Sequence, residues 1–76
     1  MRPAYDPMSY HLSPRELQVI TYVSQGMPDK RIAVIMGITT NSVKNYNYSI
    51  RCKLGSSNRT ESVVKAYAAG IIELDD

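Results

Sequence analysis

Four times along this 76-residue chain, a residue suited to starting a helix is followed by an apolar run at helical spacing and then by a glycine; the chain has no other glycines. Ser13, Pro14 and Glu16 make the first start, with serine at an N-cap, proline at the first helical position and glutamate three residues after the serine, a capping box. Leu17, Ile20, Val23 and Ser24 follow, and Gly26 ends a helix predicted over 14–25. Pro28 and Asp29 open a second, with Ile32, Ala33, Ile35 and Met36 as its apolar face and Gly37 as its stop. Thr39 caps a third over 40–54 that Gly55 closes, and Asn58 with Glu61 forms another capping box for a fourth, running through Val63, Ala66 and Tyr67 to Gly70. The pattern specifies an all-α domain of four helices, and the short glycine turn between the second and third has helix-turn-helix spacing.

So short a chain supports one small core and leaves no room for a substrate cavity of ordinary size, so an enzyme is not expected. One cysteine, Cys52, and one histidine, His11, cannot make a disulfide framework or a zinc site by themselves, and no cofactor or metal is expected. No apolar stretch reaches the length of a membrane span and the N-terminus has no export pattern, so a soluble, cytoplasmic protein without membrane contact is expected. Residues 1–11, with Pro3, Pro7 and no periodicity, read as a flexible arm. Residues 12–72 read as the helix-turn-helix domain, and 73–76 as an acidic tail.

The third predicted helix is rich in asparagine and tyrosine, neither a strong helix former, so packing on one side must hold it. A helical wheel puts Val43, Ile50 and Leu54 on one face, with Tyr46 and Asn47 flanking it. Asn41, Lys44, Asn45, Tyr48 and Cys52 point the opposite way, with Arg51 at the margin. Asparagine can pair its amide with adenine in a major groove, lysine can reach guanine or a phosphate, and tyrosine can bond a phosphate or pack on a thymine methyl. A face meant only for solubility would be built from Glu, Lys, Gln and Arg, yet residues 40–59 contain no acid at all. The net charge is only +2, but residues 29–59 carry Lys30, Arg31, Lys44, Arg51, Lys53 and Arg59 against Asp29 alone. Such a localised basic footprint suits a polyanion.

"LSPRE" at 12–16, "SQGMPDKRIAVIMGIT" at 24–39, "SVK" at 42–44, "KLG" at 53–55 and "NRTE" at 58–61 resemble the LuxR-type, or GerE-like, DNA-binding domain in order and spacing. The resemblance covers roughly residues 12–72. It implies a transcription regulator acting on double-stranded DNA, with Lys44, Asn45 and Tyr48 at positions that enter the groove; the wheel adds Asn41 to these base-reading candidates. Lys30 and Lys53 stand at places often basic in the family and are expected to meet phosphate, with Arg51 at the margin and Thr39 and Thr40 adding hydroxyl or main-chain contacts. Tyr46 replaces a usual histidine and can pack its ring while its hydroxyl reaches the DNA backbone, or serve structure alone. Pro28 replaces a frequent serine cap, which removes one contact to phosphate.

On the fourth helix, Val63, Ala66 and Gly70 are expected inward, leaving Val64, Ala68 and Ile71 as a second apolar stripe with Tyr67 between. The expected cover is a second copy, and the resemblance also implies a homodimer on two-fold-related half-sites. The match begins eleven residues after Met1, which fits a free-standing member or an excised output domain; the "IIELDD" end favours a natural short protein. The competing function is a protein-interaction module that sequesters another regulator or an RNA polymerase subunit through the Asn/Tyr face and the Val64 stripe.

Overall fold

A computed structural model describes residues 12–73; the expected arm and all but Glu73 of the acidic tail lie outside them. Among the described residues the chain forms four helices and no strand: α1 (Pro14–Ser24), α2 (Asp29–Met36), α3 (Thr40–Leu54) and α4 (Arg59–Ala68). Local chemistry sets their limits. The Ser13 hydroxyl accepts the Glu16 amide at 3.1 Å while the Ser13 amide donates to Glu16 Oε1 at 2.7 Å, the reciprocal pair of a capping box. Thr39 Oγ1 accepts the Ser42 amide at 3.0 Å to start α3. Pro28 starts α2 with no side-chain cap.

Asn58 accepts the Glu61 amide at 2.8 Å as expected, but Glu61 Oε1 takes the amide of Ser57, one residue ahead of the cap, at 2.7 Å. The capping box of α4 is therefore offset. At the other ends, Gly37 and Gly55 adopt left-handed φ of 68° and 66°, where a side chain would clash with its own backbone. The turn past each lets an amide reach back five residues, Ile38 to the Ala33 carbonyl at 3.0 Å and Ser56 to the Arg51 carbonyl at 2.9 Å. These bonds satisfy carbonyls that the helix ends would otherwise leave open.

The helices enclose one core. Val19, Ile20 and Val23 of α1, Ile32 and Ala33 of α2, Val43, Ile50 and Leu54 of α3, Ala66 of α4 and Ile72 beyond it are all buried. Each large aliphatic side chain among them stabilises the fold by roughly 1.5–3 kcal/mol. Helix α3 packs against the other three, which is what holds a helix of poor intrinsic propensity in place. Small residues line the inner face of α4, where Ser62 and Ala66 are buried and Val63 is only half-buried. Ser62 satisfies its hydroxyl by donating to the Asn58 carbonyl at 3.1 Å and meeting Ser56 Oγ at 2.6 Å.

Three apolar expectations differ. Leu17 is 37% exposed because Glu16 takes the inward place in the first turn of α1, in line with Val19, Ile20 and Val23. Ile35 joins Val34 on the outside of α2, since Ile32 and Ala33, with Met36 partly buried beside them, fill the space beneath. Gly70 is not part of an inward helical stripe, because α4 ends at Ala68 and the chain turns so that Ile72 enters the core. No helix among the described residues is long and apolar enough to cross a membrane.

Candidate nucleic-acid interface

The wheel of α3 is reproduced residue by residue. Val43, Ile50 and Leu54 are buried, Tyr46 and Asn47 are half-buried at its edges, and Asn41, Lys44, Asn45, Tyr48 and Cys52 are exposed. Tyr48 is 63% exposed, and the Arg51 guanidinium lies over its ring at 5.9 Å from the centroid, within cation–π range. Thr39, exposed, and Thr40, half-buried, sit where α3 begins, and no acid occupies the first turn of that helix. Lys30 is exposed in the first turn of α2. Tyr46 packs partly against the core.

Two carboxylates, one from α1 and one from α2, fasten α3 from opposite flanks. Glu16 is nearly buried; its Oε1 accepts Lys53 Nζ at 2.7 Å as well as the Ser13 amide, and its Oε2 accepts the Ser49 hydroxyl. Burial alone would raise this carboxyl, but the Lys53 ammonium first, then the Ser13 amide and the Ser49 hydroxyl, outweigh it and hold the pKa at about 2 against an ordinary 4.5. Lys53, expected as a phosphate anchor, thus already shares its charge with an acid. On the other flank Asp29 Oδ1 accepts Asn47 Nδ2 at 3.3 Å and Arg59 Nη1, while Arg59 Nη2 donates to the Met27 carbonyl at 2.6 Å. Asn47 and Arg59 are therefore fixed to the start of α2.

Both acids near α3 face inward against cations, so its outer face stays acid-free and carries Lys44 and Arg51, which have no ion pair among the described residues. Two concavities border that face. One, about 480 Å³, lies toward α1 between Ser42, Asn45, Tyr46, Ser49, Glu16 and Lys53. The other, about 300 Å³, lies between Asp29, Lys44, Asn47, Arg51 and Arg59. Sequence reasoning placed Asn47 only at the flank of the core face and Arg59 only in the charge count, because their shared partner Asp29 lies 18 and 30 residues away.

On α4, Val64 and Tyr67 are 59% and 52% exposed, and Ala68 is exposed beside them. Ile71 is not on the helix; it follows the turn at Gly70 and packs partly against the core. Lys65 is held at the edge of this surface by the Gly55 carbonyl at 2.6 Å.

This is a helix-turn-helix whose second helix presents an amide- and cation-bearing face, and residues 10–66 match the family described as bacterial regulatory proteins, luxR family. The chain belongs to that family. It is similar to the transcriptional activator protein PhzR of Pseudomonas fluorescens, 38% identical over 79% of this chain and 25% of that protein. It is also similar to the HTH-type quorum sensing-dependent transcriptional regulator RpaR of Rhodopseudomonas palustris, 38% identical over 83% of this chain and 26% of that protein. The transcriptional regulatory protein YdfI of Bacillus subtilis is 35% identical over 86% of this chain and 30% of its own length. The chain thus spans about a quarter to a third of these relatives, all transcriptional regulators, and carries the DNA-binding helix-turn-helix of the family.

Proposed function

We propose that the protein regulates transcription by binding duplex DNA in a sequence-specific way as a homodimer, with α3 in the major groove. Lys44, Asn45, Tyr48 and Asn41 meet base edges, while Lys30, Thr39, Thr40, Tyr46 and Arg51 meet the backbone, with Lys53 adding the part of its charge that Glu16 leaves. Val64, Tyr67 and Ala68, with Ile71 at the margin, form the seam between two copies on two-fold-related half-sites. Such a role places the protein in the cytoplasm, with the DNA. The observation that carries the reading is the acid-free outer face of α3, whose exposed side chains are amides, a tyrosine, a cysteine and cations.

A second reading, a module that sequesters another regulator or an RNA polymerase subunit, draws on the exposure of Tyr48 and Tyr67, since tyrosine is enriched in protein interfaces. Selecting bound sequences from a random duplex pool at low salt separates the two. DNA binding predicts an enriched, two-fold-related motif and an affinity that falls steeply with salt. A pool that shows no enrichment would leave only the protein-contact reading.

A further inference from the structure

The two concavities beside α3 differ in charge. Among the described residues that line the one toward α1, the only ionised side chains are Glu16 and Lys53, bonded to each other, and the remaining polar groups are hydroxyls and an amide. In the other, Lys44, Arg51 and Arg59 converge against the single carboxylate of Asp29, leaving a local excess of positive charge. Here Asn47 and Arg59 are immobilised by Asp29 and the Met27 carbonyl, and Arg51 is steadied by the Tyr48 ring, so the two guanidiniums stand in place before any ligand arrives. Preorganised donors lose less freedom when they bind, and a guanidinium presents paired N–H groups that match two phosphate oxygens.

Resting on the DNA-binding reading above, we propose that the concavity between the start of α2, the middle of α3 and the start of α4 seats one backbone phosphodiester of the DNA, with Arg51 as its principal ligand and Lys44 and Arg59 completing the positive field. The opposite flank then meets the other strand through a neutral hydrogen bond from the Ser42 hydroxyl, since that of Ser49 is already given to Glu16. Between the two flanks of α3 the salt-dependent grip is therefore one-sided: apart from what Lys30 of α2 adds, it arises at Arg51, and the Glu16–Lys53 pair contributes little to it. Tyr48 is in part a positioning residue for Arg51.

The test compares binding of one selected duplex across a range of salt concentrations. Wild type comes first: if its affinity does not fall with salt, the DNA-binding reading itself fails and the seat goes with it. Given a wild-type slope, Arg51→Gln is expected to weaken all sequences alike and to lower the slope by about one unit. Arg51→Lys keeps the charge and should keep the slope. The charge-neutral double variant Glu16→Gln/Lys53→Met, checked for folding by circular dichroism, should leave the slope unchanged. Replacing single phosphates by methylphosphonates should reveal one position per half-site that weakens wild type but not Arg51→Gln. The seat is refuted by an unchanged slope in Arg51→Gln, by loss of preference at one base pair without a slope change, or by equal methylphosphonate penalties in both proteins at every position.

Discussion

The two flanks of α3 use the same device to different ends. On each, a carboxylate from a neighbouring helix reaches in and fixes a polar residue of α3: Glu16 takes Ser49, and Asp29 takes Asn47. Glu16 also takes Lys53 out of the surface charge, whereas Asp29 takes Arg59 and leaves Lys44 and Arg51 outward. Six cations counted in residues 29–59 therefore do not make six equivalent contacts for a polyanion. The charge a fold presents is the charge left after its own acids have chosen partners, and that choice is made by burial and reach rather than by order in the chain.

The two flanks differ most at Glu16. Glu16→Ala removes the acceptor of the Ser13 amide, the Ser49 hydroxyl and the Lys53 ammonium together, and should destabilise the domain by about 3 kcal/mol in urea unfolding. A loss under about 1 kcal/mol would reduce Glu16 to an ordinary helix-start residue. Its titration gives an independent reading. Because the folded carboxyl titrates at about 2 and the ordinary value is 4.5, its stabilisation is complete above about pH 4.5 and is lost as pH falls toward 2. Over that window Glu16→Gln should flatten the decline in stability relative to wild type. Equal slopes in both proteins would assign the acid sensitivity to other carboxylates.

Arg59→Met sharpens the contrast from the other flank. The Asp29–Arg59 pair is partly solvated, so its loss, with that of the bond to the Met27 carbonyl, should cost only about 1 kcal/mol. A cost matching that of Glu16→Ala would show the two flanks to be equivalent anchors. Smallest in stability is Val64→Asp, at an exposed position of α4, which should change monomer stability by less than about 0.5 kcal/mol. Its effect belongs to assembly: cooperative binding to an inverted repeat should disappear while weak binding to one half-site remains. Full cooperativity in Val64→Asp would place the seam elsewhere.

Helix starts and stops were legible because caps and left-handed glycines act within a few residues, so Ser13, Thr39, Gly37 and Gly55 declare themselves from local text. The two faces of α3 were legible because Val43, Ile50 and Leu54 keep a single register over the whole helix. Leu17 was read into the apolar stripe of α1, but Glu16 takes the inward place: its partners at Ser49 and Lys53 lie 33 and 37 residues on, and only the packing of α3 on α1 brings them near. Likewise Ile71 kept helical register in the text, but the turn at Gly70 removes it from α4. Pairings across such separations are set by how helices cross, which no local pattern records.

Whether the outer face of α3 reads base sequence is decided by selection from a random duplex pool with wild type, Lys44→Ala and Asn45→Ala in parallel. Both side chains are exposed, so the variants should fold as wild type does. Each should lose preference at the one or two base pairs its side chain contacts, at a cost of about 1–3 kcal/mol against the best site, while the rest of the motif persists. Enrichment of the same motif with undiminished selectivity by both variants would contradict that role and move sequence reading off this face.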